Sequence, residues 1–511
     1  MNRLTLFLAL AAMLLGVALT NKATAADDAR PNIVVVMADD VGLGDIAHYY
    51  REYTDSEPPL ETPNFDALAA QGMWFTDAHS PTALCSPTRY SMISGNYTYR
   101  SYAPWGIWQT FRKSPFEPNQ ATLASIAKDA GYATGFVGKW HLGGDFNKAS
   151  GEGLYRGVDR GEELNVDLTK TVGGGPEFVG FDYAFNVPCG VQGPVYTMYE
   201  NGVWYPFSDE SEIIFLDDDT VLDPKFLTSK GSGMGDSMWN ARRLNDILSS
   251  KVVDFIEANS GDEPFLVYFC SPAVHVPWTP PATFDGEQVA GSTPTPHMDM
   301  IRELDLQIGR IVKALKGAGE YENTLFIFTS DNGGLFTNPK QHGHDASGLF
   351  NGFKNSPLEG GHRVPFIVTW PAKIEAGTST DELIVAHDIV ATVADIVGAT
   401  VPEDEVMDSQ SFLPILTAQP GAEGRDWLLL QAGANHEVLF RKGDWKLIMQ
   451  SNPKQEVFEP IALFNIAETP FEPADANLID DPSEQERVAA MLKEYLALRA
   501  SPDRTTPVIA P

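Results

Sequence analysis

Three short stretches gather residue types that can do chemistry together. In "ALCSPTRYSMISG" (83–95) one of only three cysteines, Cys85, is followed by Pro87 and Arg89. In "ADDVGLGD" (38–45) Asp39 and Asp40 directly follow an apolar run, and in "SDNGG" (330–334) Asp331 and Asn332 do the same. These four side chains offer hard oxygens and neither sulfur nor imidazole, a set that suits Ca²⁺ or Mg²⁺ better than Zn²⁺. Either pair alone reads equally well as a turn or helix cap. Two acidic strand ends in one chain weaken that reading. The complementary cations and proton carriers are Arg89, Lys139 and His141 in "GKWHLG", His275 in "SPAVHVPW", and Lys354 in the glycine-rich "GFKNSPLEGGHRVP". Taken singly, each histidine could be a hydrogen-bonded structural residue and Lys354 an ordinary loop residue.

The elements that would position them are short and continuous apolar runs: "NIVVVM" (32–37), "TGFVG" (134–138), "PFLVYF" (264–269), "TLFIFT" (324–329) and "VPFIVTW" (364–370). Unbroken apolarity is what strands covered on both faces need. Helical patterns lie between them. "TPNFDALAAQGM" opens at Thr-Pro, while "ATLASIAKDAG" and the amphipathic "MDMIRELDLQIGRIVKALKGAG" each end at a glycine. Alternation of this kind predicts an α/β fold with a large, mostly parallel mixed sheet between helices. In such sheets sites form beyond the carboxyl ends of strands, which is where the candidate residues fall. The loop-rich 145–236 region reads as insertions over the sheet edge. Its Trp204 and Tyr205, with Trp105, Trp108 and Phe111 upstream, could stack on sugar rings or simply pack loops. After residue 415 short antiparallel strands and one helix predict a smaller subdomain, giving a division at 26–415 and 416–511.

The 511 residues are 43% apolar and 21% charged, with net charge −33, an ordinary globular composition. That charge argues against nucleic-acid binding, which needs a basic footprint. It does not exclude an anionic substrate, provided cations are concentrated in one pocket. The first 25 residues, with Arg3, an apolar run and Ala23-Thr24-Ala25, predict a secretory signal cleaved near Ala25. No later run is long enough to span a bilayer, so no integral membrane association is expected. Export usually brings disulfides. Here a Cys189–Cys270 pair is the one left open, and Cys85 stands over as a thiol that suggests chemistry.

Cys85-x-Pro87-x-Arg89 with Ser94-Gly95, and "GYATGFVGKWHLG" (131–143), resemble the two signatures of the type I sulfatases, the arylsulfatase-like branch of the alkaline phosphatase superfamily. "RPNIVVVMADDVGLGD", "FTSDNGG", "NGFKNSPLEGGHRVPFIV" and "RKGDWKLI" have counterparts there as well. The resemblance implies an alkaline phosphatase-like fold and hydrolysis of sulfate monoesters. It implies that a maturation enzyme oxidises Cys85 to Cα-formylglycine, whose hydrate is the nucleophile. Asp39, Asp40, Asp331, Asn332 and residue 85 would hold one divalent cation, Ca²⁺ or Mg²⁺. Arg89 would stabilise the hydrate, Lys139 and Lys354 would hold sulfate oxygens, His275 would protonate the leaving alcohol, and His141 would help expel sulfate. Within the same superfamily a phosphonate or phosphate ester hydrolase is an alternative, and an unmatured chain that only binds sulfated glycans is another.

Overall fold

The computed structural model describes residues 30–501, apart from 228–229, 262, 337–342, 403 and 434. The expected signal segment lies outside the described residues. Ten strands form the principal sheet. In chain order they are β1 (Asn32–Ala38), β2 (Met73–Phe75), β3 (Ala133–Lys139), β4 (Tyr183–Val187), β5 (Met198–Glu200), β6 (Val203–Tyr205), β7 (Phe265–Cys270), β8 (Thr324–Ser330), β9 (Ile367–Thr369) and β10 (Thr378–Thr380). Their spatial order is β10-β2-β9-β8-β1-β7-β3-β4-β5-β6. The five central strands, β8 to β4, run parallel, and antiparallel strands flank them on both sides.

Every residue of β1 is buried, and successive side chains serve opposite cores. Val34, Val36 and Ala38 join one apolar cluster, and Ile33, Val35 and Met37 join the other. The first cluster takes its outer layer from two long helices, α4 (Ala241–Asn259) and α5 (Pro296–Ala318). The second is covered by α2 (Cys85–Ser94), α3 (Leu123–Asp129) and α6 (Ile389–Val397). Helix α1 (Pro63–Gln71) packs against α5. α5 begins and ends as its sequence demands. Thr295 accepts a hydrogen bond from the Met298 N–H, Pro296 takes the first turn, and Gly319 closes the helix at φ 79°.

The run at 364–370 forms the strand β9, antiparallel to β8, within the mostly parallel mixed sheet that was expected. One expectation needs correction. Within 145–236, β4 to β6 extend the principal sheet itself, so this region is only partly an insertion over its edge.

The C-terminal region carries its own antiparallel sheet, β11 (Trp427–Gln431), β12 (Glu437–Lys442), β13 (Trp445–Ser451) and β14 (Phe458–Asn465), followed by α7 (Gln485–Ala500). One face of this sheet packs on α7 through Phe440, Met449 and Tyr495. Its other face, with Leu428, Leu430 and Ile448, packs on Ala83, Leu383 and Val385 of the larger body. The Ala83 N–H also donates to Gln431 O at 3.0 Å. The small sheet therefore buttresses the segment that leads into Cys85. Cys85, Cys189 and Cys270 are all buried free thiols, so no Cys189–Cys270 disulfide is present.

Candidate active site

The registers of β8, β1, β7 and β3 bring their carboxyl ends to one rim. Backbone pairing continues past the strand ends. Asp39 N–H donates to Ala273 O at 2.9 Å, Val274 N–H to Asp39 O at 2.6 Å, and Asp331 N–H to Ala38 O at 3.0 Å. Asp39, Asp40, Asp331, Asn332 and the His275 loop are fixed in this way. Lys139 is the last residue of β3. Gly138 before it has φ 113°, and a Cβ there would lie 2.0 Å from Cys270 O, so the close β3–β7 approach requires glycine. Asp40 (φ 68°) and His141 (φ 57°) occupy the left-handed region without being glycines, the sort of strain that concentrates at functional sites.

Cys85 opens α2, where the first turn's N–H groups have no side-chain cap and favour negative charge. Its Sγ lies 3.6 Å from His141 Nδ1, and the Ser86 hydroxyl donates to His141 O at 2.7 Å. Arg89, one turn on and fully buried, donates to Asp331 Oδ2 at 2.7 Å and to Lys139 O at 2.9 Å. Lys354 comes from a loop pinned twice: its N–H donates to Gly334 O at 2.9 Å, and the Asn355 N–H to Ala83 O at 2.8 Å. The Lys354 ammonium meets Asp40 Oδ1 at 2.5 Å, as the Lys139 ammonium meets Asp39 Oδ2 at 2.5 Å. His275 Nε2 is 3.7 Å from Asp40 Oδ2, while its Nδ1 is 2.8 Å from Val276 O. A carbonyl only accepts, so Nδ1 carries the hydrogen and Nε2 faces the site. The Asn332 amide donates to Asp40 Oδ1 at 3.0 Å, so all ten candidate catalytic and metal-binding residues join one contiguous cluster.

The charges in it are tightly balanced. Burial would raise Asp39, but Lys139, His275 and Arg89 prevail and hold it below the usual carboxylate range. Asp40 is likewise lowered, burial being outweighed by Lys354 and His275. Burial, then the adjacent Asp39 carboxylate, push Asp331 up to about 7 despite Arg89. Burial, with Lys354, takes His275 down to about 4, and burial, with Lys139, takes His141 well below its ordinary value. Both imidazoles are held neutral. Asp39, Cys85 and Asp331 bring ligand atoms within 4.8 Å of one another, as do Asp39, Asp40 and His275. Asp39 Oδ1 and Asn332 Oδ1 are buried and accept no hydrogen bond from any described residue. Buried oxygens left without donors beside three carboxylates fit a hard cation.

The Sulfatase family model matches residues 31–399. The chain belongs to the Sulfatase family. This sulfatase, a sulfuric ester hydrolase, also matches the model for the N-sulphoglucosamine sulphohydrolase C-terminal region over residues 353–501. It is 30% identical over 504 residues to an N-acetylgalactosamine-6-O-sulfatase of Bacteroides thetaiotaomicron, covering 91% of each chain. With bovine (Bos taurus) arylsulfatase A it shares 29% over 480 residues, 89% of this chain and 84% of that one. A solved B. thetaiotaomicron sulfatase, described with the metabolism of multiple glycosaminoglycans, superposes at TM-score 0.75 with 27% identity, over 92% of this chain and all of that one. The phosphonate monoester hydrolase of Agrobacterium radiobacter, at TM-score 0.55 and 18% identity, shares the fold.

Three groups at the site of the sulfatase were not singled out in the sequence. Ser86 bridges His141 O and the Trp108 N–H. Gln192 Oε1 accepts from Lys139 at 3.0 Å. Lys230 lies close enough to depress His141. Ser86 stands inside the cysteine motif, but nothing local marks the other two. Among the aromatics, Trp108 and Phe111 are about 1% exposed and pack internally, which removes them as sugar platforms. No helix among the described residues is long and apolar enough to cross a membrane.

Proposed function

We propose that this sulfatase is exported after cleavage near Ala25 and hydrolyses sulfate monoesters of a sulfated carbohydrate, using residue 85 as the nucleophile-bearing position. The observation that carries the reading is the grouping of Cys85 Sγ with the carboxylate oxygens of Asp39 and Asp331, at an uncapped helix start beside His141. The extended likeness to an N-acetylgalactosamine-6-O-sulfatase supports a sugar substrate over a simple aryl sulfate.

A separate maturation enzyme that reads Cys85, Pro87 and Arg89 would convert the cysteine to formylglycine. The hydrated aldehyde supplies one hydroxyl to attack sulfur and a second that lets sulfate leave without a new attack by water. A divalent cation such as Ca²⁺, held by Asp39, Asp40, Asp331, Asn332 and residue 85, would polarise the ester oxygens and acidify a coordinated hydroxyl.

The chain's own groups do the rest. Lys139 and Lys354, each already held by a carboxylate, bind the non-bridging sulfate oxygens and stabilise charge where water is scarce. Arg89 fixes Asp331 and keeps the helix start electropositive. His275 presents Nε2 to the leaving oxygen. A bound sulfate's negative charge opposes the burial that keeps this imidazole neutral, so a proton taken up there is passed to the departing alcohol. His141, neutral and 3.6 Å from position 85, accepts the proton released as sulfate is expelled.

The test is a panel of matched sulfate and phosphate esters of sugars and aryl alcohols, assayed on protein from a host with the maturation enzyme. Release of sulfate from a sulfated sugar at the highest kcat/KM is expected. Faster release of phosphate or phosphonate would overturn the reading, as would binding of sulfated sugars with no turnover.

A further inference from the structure

Next to the catalytic cluster lies a cavity of about 510 Å³, well within the range of sites that hold small molecules. Its lining is out of keeping with the rest of the chain. The whole protein carries a net charge of −33, yet this cavity is lined by Arg112, Arg156, Arg160 and Lys230, with Asp159 as its one carboxylate.

The four cations are not equivalent. Arg156 is used by the fold, donating to Phe111 O at 3.1 Å and Gly144 O at 3.0 Å and pairing with Asp145. Arg112 and Arg160 have exposed side chains, and neither makes a side-chain hydrogen bond or ion pair with any described residue. Lys230 is half-buried, and burial lowers its pKa, with the Lys139 and Lys354 ammoniums adding to the effect. It also feels the Cys85 and Cys189 thiols. Lys230 therefore lines the cavity within electrostatic reach of the reacting centre.

The wall between them is thin. Cys189, which lines the cavity, adjoins Gly190, whose missing Cβ leaves room for the Lys139 side chain, and Gln192 on the same turn accepts from Lys139. Asp159, ionised at neutral pH, offers a single negative charge against these four cations. Burial pushes it up to about 6 even beside Lys230 and Arg112. Two guanidinium groups that make no ion pair with a described residue face this cavity beside a half-buried ammonium, and the one charge of Asp159 leaves an excess of positive charge that suits an anion. Guanidinium groups match the planar fork of a carboxylate or the oxygens of a sulfate.

We infer that Arg112, Arg160 and Lys230 form a subsite for a second anionic group, a carboxylate or sulfate on the sugar unit beside the one that loses its sulfate. The substrate is then an acidic oligosaccharide with anionic groups on neighbouring units. This rests on the sulfatase reading of the adjoining site and narrows it.

The experiment compares kcat/KM for a monosulfated N-acetylhexosamine alone, linked to a neutral hexose, linked to a hexuronate, and linked to a second sulfated sugar. Wild-type enzyme should prefer one or both acidic disaccharides by about tenfold or more, and the preference should shrink as salt is raised. The hexuronate and sulfated arms tell which anion is taken. Arg112→Gln/Arg160→Gln should bring the acidic and neutral disaccharides to similar kcat/KM. Equal kcat/KM for neutral and acidic disaccharides in the wild type would overturn the inference, as would a preference that survives the double substitution.

Binding of the unsulfated hexuronate disaccharide, measured by calorimetry on wild type and the double variant, separates this inference from the catalytic reading. If no sulfate ester is turned over but wild type alone binds the acidic disaccharide, the subsite stands and the catalytic reading falls. If sulfate is released and neither protein binds it or favours either acidic substrate, the subsite falls alone.

Discussion

Replacing Arg89 with methionine removes a buried cation while keeping much of its bulk. Arg89 holds Asp331 Oδ2 at 2.7 Å, has Asp39 Oδ2 at 3.7 Å, and closes the end of β3 through Lys139 O at 2.9 Å. The side chain and both carboxylates have essentially no exposure, so water cannot take over. Removing one partner of a buried ion pair costs about 3–5 kcal/mol, and the freed carbonyl adds to that. Asp331 already sits high, at about 7, with the guanidinium present. Without it Asp331 should hold its proton at neutral pH, which trims the cost but weakens an oxygen that a cation would need. The expected loss is therefore about 3 kcal/mol. Arg89→Lys, which keeps the charge but cannot reach both acceptors, should fall between the two. Because Arg89 also belongs to the motif a maturation enzyme would read, activity alone would confuse two effects. The assay is urea unfolding of wild type and both variants, produced without the maturation enzyme so that all retain the Cys85 thiol, with and without EDTA. A methionine variant within about 1 kcal/mol of wild type in EDTA would refute the assignment of Arg89 as the counter-ion of this cluster.

Three further outcomes follow from other groups. Lys354→Ala removes the ammonium proposed to bind the sulfate oxygens and should lower kcat/KM by about 10²–10³, read as initial rates on the best sugar sulfate; a change under threefold would remove Lys354 from transition-state binding. EDTA treatment should abolish turnover and lower the unfolding midpoint, and Ca²⁺ or Mg²⁺ should restore both; at a hundredfold excess over Kd the added stability is about 2.7 kcal/mol, and recovery only with Zn²⁺ would contradict an all-oxygen site. Glu303 is fully buried, accepts from Asn245 at 3.0 Å through one oxygen, and is pushed by burial up to about 8. Its stabilising share is present below the ordinary carboxylate range and is lost as pH rises toward 8. Glu303→Gln should therefore be nearly neutral at pH 4.5 and stabilising by up to about 3 kcal/mol at pH 7 in urea unfolding, whereas an equal shift at both pH values would show that the charge is not the cause.

The parts of the site that sequence revealed were those tied to strand ends. β1 and β8 are unbroken apolar runs, and Asp39, Asp40, Asp331 and Asn332 follow them by the shortest path, so their convergence follows from parallel neighbours in register. Lys139 and His141 could be placed by the same argument. Lys354 could be named as a candidate cation in its glycine-rich loop, but only family likeness tied it to the site, because its position depends on loop bonds to Gly334 and Ala83 that have no local signal. Gln192, Lys230 and Arg112 were not legible at all. They reach the site from the 145–236 region and from the segment after α2, where short strands and turns are set by long-range pairing rather than by periodicity. The aromatics stayed open between two readings for a related reason: stacking and packing use the same residue types, and only burial tells Trp108 and Phe111 from sugar platforms. The charge pairs that join the C-terminal sheet to the larger body, such as Lys446 with Glu359 at 2.9 Å and Arg441 with Asp77 at 2.6 Å, were not legible, because Lys446 and Arg441 lie in runs that read simply as short antiparallel strands.

The central claim is that position 85 becomes something other than a thiol before it works. The most direct measurement is the mass of the peptide containing Cys85 in preparations of differing specific activity. Loss of hydrogen sulfide with gain of one oxygen, in a fraction that rises in proportion to the rate of sulfate release, is the result predicted. Full activity in protein whose Cys85 peptide retains its thiol throughout would contradict it.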